Sequence, residues 1–201
     1  MIFWMIPIFW AIAYVYFYVK AKYDDPEMTR VMIVLGSGGH TAEMLSYIPV
    51  ISRKYQPRLY VVAASDSMSE QKVMDLENKS GVEFSIKYVR RAREVKQSYI
   101  SSVFSTLMSC LSAFPIVTFF RPKLILCNGP GTCIPICFVA LLLNILRIHS
   151  TLIIFVESIC RTKTLSLSGK ILYYTRLVDI IVQWPELKTK YPRSIYLGLL
   201  S

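Results

Sequence analysis

Five apolar residues, Val31-Met32-Ile33-Val34-Leu35, run straight into Gly36-Ser37-Gly38-Gly39-His40-Thr41, and this junction constrains the fold more than any other stretch of the chain. The apolar, β-branched run reads as a buried strand, the glycines as a tight turn and Thr41 as the opening of a helix. Residues without a Cβ let the backbone approach an anion closely. The free N–H groups of the helix's first turn then point at that anion with the positive end of the helix dipole behind them. A unit of this kind fits a phosphate-handling α/β domain.

The same pattern recurs at 124–132, where a short buried strand meets Asn128-Gly129-Pro130-Gly131-Thr132. Strand signals at 31–35, 58–64, 83–89, 124–127, 152–156 and 179–183 alternate with helix signals. The helices fall at 41–55 (broken near Pro49), 69–79, 99–113, 134–146 and 170–177. Apolar strands separated by helices imply a doubly wound, mostly parallel Rossmann-like sheet with both faces covered. In such a sheet both glycine loops emerge at the C-terminal edge, where they can hold a pyrophosphate between them.

Residues 2–19 carry no charge and as a helix reach ~27 Å, close to the hydrocarbon thickness of a bilayer. We therefore expect a transmembrane anchor over residues 1–22, a polar linker over 23–30 and a Rossmann-like domain over 31–201. A cleaved signal peptide is the rival reading, but no basic residue precedes the apolar stretch. Lys20 and Lys22 on its C-terminal flank place the domain in the cytosol. The apolar segments 103–120 and 133–148 read as buried or membrane-surface helices, because spanning would put strands of one sheet on opposite sides of a bilayer. The basic stretch Arg90-Arg91-Ala92-Arg93 with Lys96 precedes the first of them, and reads either as a headgroup-binding collar or as a solvated loop.

A hydrophobic content of 54% and a mean hydropathy of +0.44 exceed those of an ordinary soluble domain, so lipid or a partner protein covers part of the surface. The net charge of +10 suits an anionic membrane or a pyrophosphate. Nucleic acid is not expected, since no nucleic-acid-binding pattern is present. Five cysteines, an odd number set in or beside apolar runs, read as reduced core residues.

The first glycine loop departs from the dinucleotide fingerprint G-x-G-x-x-G, whose third glycine would fall at Thr41. Asp66 could still serve as a ribose-binding acid, so a membrane-tethered dinucleotide oxidoreductase stays open. No D-x-D pair occurs, and no metal or other cofactor is expected. Charge on a leaving phosphate would then be met by helix N-termini and basic side chains. His40, flanked by the glycine loop and a helix start, is one candidate base; Glu157, at the end of the 152–156 strand, is the second. Glu43 reads as an acid that complements the helix dipole.

Gly36 to Met44, Asn128 to Thr132, Phe155-Val156-Glu157-Ser158, Leu165 to Lys170 and Val182-Gln183-Trp184-Pro185 together resemble the membrane-anchor subunit of the eukaryotic UDP-N-acetylglucosamine transferase that adds the second sugar to dolichol-linked N-acetylglucosamine. The likeness covers nearly the whole chain. The Gly-Gly-His loop is also similar to that of the bacterial peptidoglycan transferase, in which one chain carries both halves of a GT-B fold. The resemblance implies a split, inverting enzyme of the endoplasmic reticulum membrane. This chain would be the acceptor-side half, inactive without a soluble subunit that binds most of the UDP-N-acetylglucosamine donor. The acceptor pyrophosphate would meet Gly36, Ser37, Gly38, Gly39, Thr41, Asn128, Gly129, Gly131 and Thr132. Tyr196, Leu197, Leu199 and Leu200, in the apolar C-terminal tail, would dock the partner unless that tail is an edge strand of the same sheet. A scaffold role, recruiting an enzyme without contributing site residues, is the remaining alternative.

Overall fold

A computed structural model describes residues 28–64, 66–90, 99–129 and 131–200. The anchor expected over 1–22, most of the linker and the basic segment 91–98 lie outside the described residues. The elements run β1 (Val31–Val34), α1 (Gly39–Tyr47), β2 (Arg58–Ala63), α2 (Ser67–Ser80), β3 (Phe84–Val89), α3 (Tyr99–Phe120) and β4 (Leu124–Cys127). Then follow α4 (Cys133–Ile145), β5 (Leu152–Val156), α5 (Leu167–Thr175), β6 (Asp179–Val182), α6 (Pro185–Lys190) and β7 (Ile195–Tyr196). The seven strands form one sheet in the order β3-β2-β1-β4-β5-β6-β7. Every pairing is parallel, with Val31 beside Arg58 on one flank and beside Leu124 on the other. The expected doubly wound sheet is therefore present.

The continuous apolar run of β1 follows from burial on both sides. Met32 and Val34 face a cluster that includes Ala113 and Val117 of α3 and Ile136 and Ala140 of α4. Val31, Ile33 and Leu35 face a second cluster with Met44 and Ile48, just beyond α1, and Val73 of α2. The chain departs from β1 to one flank and returns at β4 on the other, so β1 and β4 flank the switch point where ligands bind in open α/β sheets.

Two helices differ from expectation, and the open alternative for the C-terminal tail is decided. α1 stops at Tyr47 rather than near 55, since Pro49 falls in a short 3-10 turn, Ile48–Val50. α3 runs to Phe120 instead of ending near 113. Ala113 and Val117, fully buried on either side of Pro115, hold the helix to the sheet across the hydrogen bond that proline removes. The C-terminal Ile195-Tyr196 pairs with Ile181-Val182 as the edge strand β7. Its continuation stays exposed at Leu197 and Leu199.

Candidate functional site

The two glycine loops meet. Gly36 is buried, and a Cβ there would sit 2.7 Å from His40 Cβ and 2.9 Å from the Asn128 carbonyl oxygen. Gly129, at φ +98°, would place a Cβ 3.1 Å from His40 Cγ and 3.2 Å from Gly36 Cα. Neighbouring β1 and β4 thus bring the loops into backbone contact, with the His40 side chain packed against both glycines. Gly38, at φ +66°, takes a conformation open to glycine and precedes α1, whose first turn has no side-chain cap. Ser37, Gly38 and Gly39 are exposed at this rim. The uncapped N–H groups of α1 are thus available to an outside acceptor.

Thr41 is 1% exposed. Its hydroxyl donates to the Gly36 carbonyl and lies 2.7 Å from Ser69 Oγ, which donates to Asp66. Asp66 caps α2, accepting from Ser69 N at 3.1 Å and Ser69 Oγ at 2.7 Å. Its carboxylate is committed to the helix start, where the dinucleotide alternative needed it for a ribose.

His40 Nδ1 lies 2.9 Å from Oδ1 of Asn128, which is fully buried. An amide oxygen facing Nδ1 suits the tautomer with its proton on Nδ1, which leaves the Nε2 lone pair to accept one. The carboxylate of Glu43 stands 3.9 Å away on the same side of the ring. Glu43 lies in the second turn of α1, not the first, and does more than complement a dipole. Its Oε1 accepts from Ile159 N at 2.7 Å, Gln183 Nε2 at 2.8 Å and Tyr47 Oη at 3.2 Å. Burial alone would raise its carboxyl, but the Ile159 amide and the Asn128, Gln183 and Ser158 side chains outweigh that and hold it below the ordinary value of 4.5. Gln183 also donates to Glu157 O at 3.1 Å and accepts from Leu200 N at 3.1 Å, so the C-terminal tail is tied to this web.

Glu157 is 2% exposed. Its Oε2 accepts from Ser166 N at 2.8 Å and Ser166 Oγ at 3.0 Å, and its Oε1 from Ser158 N at 3.2 Å. Burial is the largest influence and raises its carboxyl above the ordinary value, opposed by those donors and by the charge of Arg161. Ser166 caps α5, accepting from Gly169 N at 3.0 Å. A Cβ on Gly169 would collide with Glu157 Oε2, so glycine here makes room for the carboxylate beneath the helix start.

These walls enclose a cleft of about 950 Å³. Gly39, His40, Glu43, Gly129, Glu157 and Arg161 are among its lining residues. The expected members Gly131 and Thr132 follow at the head of α4 and are not part of the cleft wall, and Thr132 is buried. Arg161, exposed on the loop after β5, brings a guanidinium to the cleft. Arg161 and Gln183 were not singled out as site residues from sequence. The signal for the former is a lone arginine four residues past an expected strand-end carboxylate. Cys127 Sγ lies 3.6 Å from Cys137 Sγ, both buried thiols. Hydrogen bonding to Cys133 and Cys137, with burial, pushes the Cys127 thiol well above its ordinary value.

A family model described as "Oligosaccharide biosynthesis protein Alg14 like" matches residues 31–200. A protein of Rattus norvegicus named UDP-N-acetylglucosamine transferase subunit ALG14 is 55% identical over 176 residues, covering 83% of this chain and 81% of the relative. A Homo sapiens protein of that name is 49% identical over 181 residues, covering 86% and 83%. Its Schizosaccharomyces pombe counterpart is 41% identical over 189 residues, covering 91% and 89%. Among solved structures, Acinetobacter baumannii MurG superposes with a TM-score of 0.59 at 14% identity, over 85% of this chain and 45% of that one. Arabidopsis thaliana UGT89C1 gives 0.51 at 12% identity, over 82% and 46%. The chain therefore spans just under half of either transferase, and its sheet is that of one half of a GT-B glycosyltransferase.

Proposed function

The chain belongs to the Alg14-like family of oligosaccharide biosynthesis proteins, and from that membership we propose that it is the acceptor-binding, membrane-anchoring subunit of a UDP-N-acetylglucosamine transferase. The reaction is the β1,4 addition of a second N-acetylglucosamine to dolichol-pyrophosphate-linked N-acetylglucosamine. A soluble partner subunit binds the UDP-sugar, docks against the exposed Leu197 and Leu199 beyond edge strand β7, and is needed for turnover. The single-pass anchor at the N-terminus keeps the domain on the cytosolic face of the endoplasmic reticulum.

The observation that carries this reading is the backbone contact of Gly36, in the turn that leads to the uncapped start of α1, with the Asn128-Gly129 loop beside His40. The acceptor's pyrophosphate rests on the α1 N–H groups, and Arg161 supplies a cation from the facing loop. His40 Nε2 takes the proton of the acceptor's 4-hydroxyl as the O4–C1 bond forms and the bond from C1 to the UDP oxygen breaks. UDP leaves with the electron pair, and this single displacement inverts C1. Asn128 fixes the reactive tautomer, and ionised Glu43 steadies the imidazolium that results. Glu157 holds the Ser158 and Ser166 backbone in place and is a positioning residue. Substituting His40→Ala and measuring lipid-linked disaccharide in membranes that contain the partner tests this: a fall of ~100-fold or more is expected. Near-normal turnover removes His40 from the mechanism, and with it the reading of this cleft.

A further inference from the structure

We propose that the joint outer face of α3 and α4 is a second membrane contact, lying in the plane of an anionic leaflet and dipping into its apolar layer without crossing it. From 102 to 120, α3 has a mean hydropathy of 1.8, yet only 17% of that window is buried. Its exposed positions are all apolar, from Val103 at 73% through Phe104, Leu107, Leu111 and Phe114 to Phe119 at 77%. They occupy one side of the helix, opposite the buried Ser109, Ala113 and Val117. α4 lies against α3, with Cys110 Sγ 3.9 Å from the Pro135 carbonyl, and extends the face with Phe138, Leu142 and Ile145. Thr118 lies on this side of α3 with its hydroxyl oxygen buried, and an apolar face of this extent is not left to water.

By length α3 could cross a bilayer. Its connections forbid it, because the strands at its two ends, β3 and β4, belong to one sheet, joined through β2 and β1. The helix must lie along the leaflet. Charge names the occupant: residues 95–156 contain no Asp or Glu, whereas Lys96, Arg121, Lys123 and Arg147 fall within them, and the stretch just before, Arg90 to Glu94, carries three arginines against one acid. Arg121 and Arg147 follow the ends of α3 and α4, both in left-handed backbone conformations at φ +53° and +55°. Apolar surface with cations at the ends of its helices matches acyl chains beneath anionic headgroups. α3 also begins at the sheet edge that carries the cleft, so a lipid acceptor can reach the glycine loops sideways from the leaflet. That last consequence rests on the function proposed above, whereas the membrane contact does not.

The test uses the full chain with its partner subunit in vesicles of phosphatidylcholine containing a minor fraction of phosphatidylserine, doped with a phospholipid bearing a photoactivated carbene source on its acyl chain. Label is expected on peptides covering 103–119 and 138–146 several-fold above that at Val50 and Met68, which are exposed apolar residues elsewhere. Label no higher than at Val50 overturns the proposal, as does cross-linking of this face to the partner or to residues 1–22 in place of lipid. The double variant Leu107→Glu, Leu111→Glu, at two exposed positions, is expected to lose acyl-chain label and most turnover on the lipid acceptor while still capturing the partner. Unchanged label in that variant overturns the contact. Lost label with full turnover overturns only the sideways entry. Strong label in a protein whose His40→Ala form turns over normally leaves the membrane contact standing and removes the cleft assignment.

Discussion

Two helix starts face each other across the cleft, and they are finished differently. α5 begins with Ser166 as its cap and the carboxylate of Glu157 beneath it, so the positive end of that helix already holds an anion of the protein's own. α1 begins with glycines and no side-chain cap. The protein supplies a charge at one N-terminus and leaves the other open, although both follow parallel strands of the same sheet. In the function proposed above the open one holds an outside anion, and the closed one is a brace.

The largest expected effect comes from spoiling the open side. In Gly36→Ala the new methyl would lie 2.7 Å from His40 Cβ and 2.9 Å from the Asn128 carbonyl oxygen, so the loops must part. We expect a loss of about 2–3 kcal/mol in unfolding free energy. Turnover per folded molecule should fall ~100-fold, because the His40–Asn128 contact moves with the loop. Full turnover in a folded Gly36→Ala protein would show that the two loops do not act together, and the open start of α1 would lose its meaning.

Glu157→Gln probes the closed side, with a smaller effect. The amide keeps the volume but loses acceptor capacity toward Ser158 and Ser166, which should cost about 1–2 kcal/mol. Turnover per folded molecule should stay within ~10-fold of the native protein, whereas His40→Ala loses turnover and keeps its stability. A folded Glu157→Gln protein as inactive as His40→Ala would make Glu157 the reacting group. Acid titration sharpens the contrast. Glu43 is held below 4.5, so its contribution is present above that value and is lost as pH falls through its lower folded value. Glu157 is raised, so its contribution is present below 4.5 and is lost as pH climbs through its higher folded value. Melting temperatures of native protein and Glu157→Gln should therefore draw together as pH falls only if that sign is wrong; the expected trend is a gap that widens toward acid.

The sheet was legible because its evidence is local. An apolar run, a glycine turn and a helix start lie within a dozen residues, and strand order follows from the parallel crossovers. The glycine loops could be placed at one sheet edge for the same reason. The hydrogen bonds that organise the cleft could not, since Asn128 reaches His40 across 88 positions, Ile159 reaches Glu43 across 116 and Gln183 reaches Glu43 across 140. Nothing periodic marks such pairs. Glu43 was seen only as an acid near a helix start because its partners come from other strands. Pro115 misled in the other direction: a local breaker suggested an early end to α3, and packing of Ala113 and Val117 overrode it.

The mildest change is Ser166→Ala, which removes the cap and leaves the carboxylate. Gly169 N loses its acceptor and Glu157 keeps the Ser166 backbone N–H, so about 1 kcal/mol of stability should go, with turnover unchanged. The comparison of helix starts hinges on this modest result. If α5 is closed by its own groups, thinning that closure weakens the fold and nothing else, because no ligand sits there. If Ser166→Ala leaves the melting temperature alone but lowers affinity for the lipid-linked acceptor, the hydroxyl faces the acceptor rather than the helix. Both helix starts would then hold substrate, and the cleft would grip the pyrophosphate from two sides instead of one.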